Sequence, residues 1–243
     1  MPGDISPFGE PMNHLPSLIH VEKSIQCENP LLVQGLPGIG FVASVAVLHL
    51  VRKLKAEKFG EVFSPHFQDA VFATAEGDVR RPSIEFYLAR IGNRDLILLY
   101  GNTQPLTRYG QYEVSGKSLD LVKSLGCHTV ISFAGLRREQ LQGPPKVFCT
   151  ASDFETLENA LKEGVNTISG EVYGMAGIII GLARLKEMHG LCLLTETLAA
   201  YPDQKAAKAV LEKFGALFNL ELDLGDLDSA AASLKDRLET LGV

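Results

Sequence analysis

The sequence predicts an α/β fold: a three-layer arrangement with a central sheet and helices on both faces, carrying a β-rich insertion and C-terminal helices. Three observations carry this reading. From Leu31 onward, apolar strand-like runs alternate with stretches of helical periodicity. The run 127–135, CHTVISFAG, is almost wholly apolar, as a strand covered on both faces must be. The segment 31–51, LLVQGLPGIGFVASVAVLHLV, passes from an apolar strand through glycines at 35, 38 and 40 into a long apolar helix.

The elements follow in order. Residues 1–16 hold four prolines and two glycines, so 1–17 reads as an extended arm. One α/β domain is expected over 18–223, with a helical appendage at 224–243. Ile39 to about Lys58 reads as a helix closed by Gly60. EVFSPHF (which includes His66), AVFATA, SIEFYLARI and RDLILLYG then read as four strands, with AEGDVRRP and GNR as turns. A helix from about Tyr109 to Leu125 ends at Gly126, the position where glycine closes helices. KVFCTAS is a shorter strand, and Ser152 or Asp153 caps the helix that follows. Met175 to His189 is apolar on almost every side, which predicts a buried helix stopped by Gly190. LCLLTET is the last core strand.

Two helices complete the chain. Asp203 to Phe218 has one wide apolar face. In the last helix Leu227, Ala231, Leu234, Leu238 and Leu241 repeat with 4-3-4-3 spacing. That seam either docks on its own domain or makes a subunit contact through Leu227, Leu234, Leu238 and Leu241.

Bulk properties narrow the function. A net charge of −6 offers no basic stripe to release phosphate counterions, so no nucleic-acid partner is expected. The four cysteines, Cys27, Cys127, Cys149 and Cys192, form no C-x-x-C pair, which suits a reducing, cytoplasmic setting. The N-terminal stretch lacks the basic and apolar regions of a signal peptide, and no run is long enough to span a membrane.

The motifs give a pocket without a catalyst. Gly35 and Gly40 have the outer spacing of a P-loop, but Phe41 and Val42 stand where Lys and Ser/Thr would follow, so a conventional NTPase is not expected. The order G-x-x-G-x-G also differs from the dinucleotide fingerprint. Loops at the strand ends place Gly35, Gly38 and Gly40 alongside Asn102 and Thr103, and the second glycine turn, Gly174 and Gly177, precedes a helix without a Ser/Thr/Asp cap. Together they would hold an anion, with Glu196 on a ribose or amine. Equally, they make tight turns and close helix packing. No histidine spacing suits a metal and no G-x-S-x-G elbow is present, so no catalytic residue, metal or cofactor is assigned. His49 reads as a satisfied core residue and His189 as a helix-end residue.

Taken together and in order, GLPGIGFVAS, YGNTQP, YGMAGIIIGLARLKEMHGLCLLTET and YPDQKAAKAVLEKF resemble the archaeal branch of the proteasome assembly chaperone family, over about residues 18–224. The resemblance implies a fold similar to nucleoside phosphorylases and hydrolases, homo-oligomers, and a role in assembling proteasome α subunits. Related proteins are sometimes labelled ATP-grasp-like. Members of this group can end in a hydrophobic-Tyr-X tail, whereas this chain ends Leu241-Gly242-Val243. Action through the body surface, through a partner subunit that carries the tail, or in another process altogether is therefore expected. The alternative function is an enzyme or sensor that binds a nucleoside or phosphate-bearing molecule at the glycine loop.

Overall fold

The computed structural model describes residues 15–73, 77–199 and 202–240. The strands are β1 (Leu18–Val21), β2 (Leu31–Gly35), β3 (Glu57–Phe63), β4 (Phe72–Ala73), β5 (Val79–Arg80), β6 (Ile84–Ile91), β7 (Arg94–Gly101), β8 (Thr129–Arg137), β9 (Val147–Ala151), β10 (Asn166–Thr167) and β11 (His189–Thr197). The helices are α1 (Val42–Lys53), α2 (Arg108–Ser124), α3 (Phe154–Lys162), α4 (Met175–Leu185), α5 (Gln204–Phe218) and α6 (Leu227–Thr240).

Nine strands form one sheet in the order β1-β3-β6-β7-β2-β8-β11-β9-β10. At its centre β7, β2, β8 and β11 run parallel, and β6 and β9 flank them antiparallel. The alternation of side chains across each strand builds two cores. Leu31, Val33, Leu98 and Phe133 join α1, α3, α5 and α6 on one face. Leu32, Leu99, Val130 and Cys192 join α2 and α4 on the other. Helices on both faces explain why the central strands are mostly apolar, with Gln34, Ser132 and Thr195 as buried polar exceptions. Within the predicted insertion, β3 and β6 extend the main sheet, and among the described residues only β4 and β5 pair apart from it.

Two predicted helix ends move, for one shared reason. Helix α1 stops at Lys53, five residues before Lys58, and Gly60 lies inside β3. The stop is a Schellman turn: Lys55 takes φ 50°, its N–H reaches Arg52 O at 3.2 Å, and Ala56 N–H reaches Val51 O at 2.9 Å. Helix α4 ends at Leu185 in the same way, with Glu187 at φ 57° and Met188 N–H on Ala183 O at 2.9 Å. His189 is therefore the first residue of β11, not a helix end. Nor is α4 buried all round, since Gly181, Arg184 and Leu185 are exposed. His66 lies in the loop beyond β3, not in a strand.

Other expectations hold. Gly126 closes α2 at φ 83°, and the Asp153 carboxylate caps α3 by accepting from Thr156 N–H at 2.9 Å. His49 is buried and satisfied, with Nε2 2.7 Å from Asp223 O.

Candidate functional site

The glycine loop connects β2 to α1 through a 3₁₀ turn at Ile39–Phe41. Its glycines are explained mostly by the protein's own packing. A Cβ on Gly35 would stand 2.3 Å from Val47 Cγ2 and 2.5 Å from Ala43 O, so glycine is what lets α1 lie against β2. Gly40 has φ +64°, and a Cβ there would meet Thr197 Oγ1 at 2.7 Å, where the loop crosses the end of β11. Asp203 fastens this crossing. Its N–H donates to Gly40 O at 2.8 Å, and its carboxylate accepts from Thr197 Oγ1 at 2.5 Å while capping α5. Gly38 differs. Its backbone is extended at φ −169°, and nothing lies nearer to its missing Cβ than Leu36 O at 4.0 Å.

The loop and the second glycine turn do converge, through Gln104. Its Nε2 donates to Pro37 O, and its Oε1 accepts from Met175 N–H at 3.2 Å. One amide thus ties the loop to the N-terminus of α4, whose own cap, Gly174, has no side chain to offer. Gly177 serves the same turn, because a Cβ there would lie 2.2 Å from Val172 O. Asn102 and Thr103 point elsewhere. Asn102 Oδ1 accepts from Ser83 N–H at 2.8 Å, and Thr103 Oγ1 donates to Gln68 Oε1 at 2.8 Å. Glu196 is engaged by Arg138 Nε at 3.0 Å and Lys146 N–H at 3.2 Å. Gln104→Leu should therefore lower stability by about 1–3 kcal/mol, the cost of stranding partly buried partners. Denaturant titration measures it, and an unchanged midpoint would show the bridge to be dispensable.

The reactive-looking thiols are quiet. Burial pushes Cys127 up to about 11 and Cys192 up to about 12, far from the range of a thiolate nucleophile. Among the described residues no group of three His, Cys, Asp or Glu side chains is placed to hold a metal.

What the carboxyl edge of the sheet does present is apolar surface. Ile39 follows β2, Leu106, Tyr109 and Tyr112 follow β7, Tyr173 precedes α4, and Leu198 follows β11. All six are exposed; Leu106 is 68%, Tyr109 65% and Tyr173 80% accessible. Scattered exposed apolar residues are ordinary, and these six are notable only for lying beyond strand ends or at helix starts on the same edge. The rim rests on firm supports. Thr107 caps α2 by accepting from Gly110 N–H at 3.0 Å, and the His66 ring meets Tyr109 edge-on at 5.4 Å. Tyr173 OH donates to Glu171.

The C-terminal seam is covered from within. Leu227 and Leu234 are buried with Ala230 and Ala231 in the core that includes α1, and Arg52 Nη2 donates to Ser233 Oγ at 2.5 Å. The side chain of Leu238 and all of Leu241 lie outside the described residues.

A family model described as the PAC2 family matches residues 32–241. The chain belongs to the PAC2 family. Protein MJ1210 of Methanocaldococcus jannaschii is 35% identical over 217 residues, covering 88% of this chain and 83% of that one. The crystal structure of Pyrococcus furiosus PbaB, described as an archaeal proteasome activator, superposes on this PAC2 protein with a TM-score of 0.82. It is 33% identical, with 94% of this chain and 99% of PbaB covered. Pyrococcus furiosus PbaA, described as an archaeal homolog of proteasome-assembly chaperone, shares the fold at a TM-score of 0.76. There identity is 23%, with 94% of this chain and 92% of the PbaA chain covered.

Proposed function

We propose that this PAC2 protein is a non-catalytic assembly factor that holds proteasome core-particle α subunits through protein–protein contacts. The observation that carries the reading is similarity to PbaB at 33% identity over nearly the whole of both chains. The exposed residues Ile39, Leu106, Tyr109, Tyr112, Tyr173 and Leu198 support it with suitable chemistry, being apolar and half of them tyrosine. Such a surface would hold an intermediate until a more stable neighbour displaces it. The reading includes self-association, a cytoplasmic setting consistent with four free cysteines, and a sheet related to those of nucleoside phosphorylases. A nucleoside or phosphate site at the glycine loop is less well supported, because Gln104 already occupies the α4 N-terminus and Asn102 and Thr103 bond within the chain.

Native mass spectrometry of the protein mixed with α subunits from its own host tests the proposal. A defined hetero-complex is expected. Complexes with the assembled core particle but not with free α subunits would shift the role from assembly to activation. Binding to neither would overturn it.

A further inference from the structure

A cavity of about 410 Å³ lies at the end of β3, where the loop 64–71 departs, and its wall residue Ser64 bonds to Ser17. Its walls include Phe63, Phe67, Ala70, Val71 and Pro82. Arg81 closes one side, its guanidinium 4.1 Å over the Phe63 ring and its charge engaged by Glu61. Because that charge is already paired, the site calls for an apolar occupant and not an anion.

The chain enters the fold next to this cavity and is locked there. Ser17 is fully buried. Its N–H donates to Glu113 Oε2 at 3.1 Å, its hydroxyl donates to the same oxygen at 2.5 Å, and Ser64 Oγ, on the cavity wall, is 2.8 Å away. Lys117 Nζ donates to Ser17 O. Burial works against the Glu113 carboxylate, but Ser17 and Lys117 hold it below the usual carboxylate range, so the anchor is charged at neutral pH. Residues 1–14 lie outside the described residues, and by sequence they contain one aromatic, Phe8, flanked by Pro7 and Gly9. Eight residues lie between Phe8 and Ser17, so the nine Cα-to-Cα steps reach up to roughly 30 Å at about 3.3–3.6 Å each. The arm also carries Asp4 and Glu10, and Arg80 stands exposed next to Arg81, although Asp69 on the wall opposes the arm's acids.

We propose that the cavity is the docking site of the chain's own N-terminal arm, with Phe8 as the inserted side chain. Tethering makes this undemanding. A millimolar effective concentration needs an intrinsic dissociation constant of only roughly 0.1 mM for about nine-tenths occupancy.

The sequence has no tryptophan, so Phe8→Trp makes a single reporter in the full-length protein. Its emission should be blue-shifted relative to the denatured chain, and acrylamide quenching should fall about three- to tenfold, in line with that occupancy. Val71→Glu, at an exposed rim position, should return the emission to the solvent-exposed value without unfolding the protein. Emission in the native Phe8→Trp protein matching the denatured chain would overturn the proposal. So would a blue shift that disappears on dilution, which would assign the cavity to a second copy's arm. A blue shift indifferent to Val71→Glu would place Phe8 elsewhere and overturn it as well.

Discussion

Replacing Tyr109, Tyr112 and Tyr173 together with alanine is expected to weaken binding to proteasome α subunits by a factor on the order of 30 or more. A well-packed tyrosine at the centre of an interface contributes about 2 kcal/mol, so losing even one anchor reaches that factor. The fold should survive. All three rings are more than half exposed, and surface changes of this kind move stability by about 0.5 kcal/mol or less each. Tyr109 is the exception, because it also packs on His66, and losing such an edge-on contact costs about 0.5–1.5 kcal/mol. Tyr109→Phe keeps that ring contact and serves as the control. Isothermal titration, with a thermal melt of each variant, separates the two effects. Unchanged affinity in the triple variant would move the contact away from the carboxyl edge of the sheet. In contrast, Leu234→Ala in the C-terminal seam should act on stability, since that side chain already packs within its own chain.

The parts of this fold that are legible in the sequence are those whose causes are local. Strand β2, the glycine loop and the start of α1 follow from an apolar run and three glycines within ten residues. Gly126 and Asp153 mark helix ends because glycine and aspartate carry the capping chemistry themselves. The ends of α1 and α4 were hidden for the complementary reason. The left-handed residues are Lys55 and Glu187, and neither residue type signals a stop. Strands β1 and β10 are short, and their partners β3 and β9 fix them more than their composition does. The site divides the same way. The loop and the α4 turn are visible from their glycines, but their junction is Gln104, a polar residue in an ordinary turn. Only the fold sets its two ends against Pro37 and Met175. Nor does composition separate Tyr109, on the surface, from Tyr100, buried in β7. Exposure is a tertiary property, and the rim is therefore a product of the fold.

The glycine loop itself is open to a direct test, because its glycines are predicted to behave differently. Gly35→Ala should destabilise the protein by about 1–3 kcal/mol, the usual cost of forcing extra volume into a packed core. The new methyl would sit 2.5 Å from Ala43 O, which is helix backbone and cannot step aside without shifting α1. In a chain of this length each kcal/mol lowers Tm by roughly 2–4 °C. Gly38→Ala should stay within about 0.5 kcal/mol of the parent, since its extended backbone suits any residue and its surroundings are open. Thermal melts of both variants check the pair. The contrast also bears on function, because Gly38 is the one position of the loop whose missing side chain leaves room for something other than the protein. If Gly38→Ala keeps its Tm and still binds α subunits, the loop is a packing device, and its glycines are there for α1 and β11. If it keeps its Tm but loses that binding, a partner's backbone approaches Gly38 closely, and the contact surface runs from the tyrosine rim into the loop.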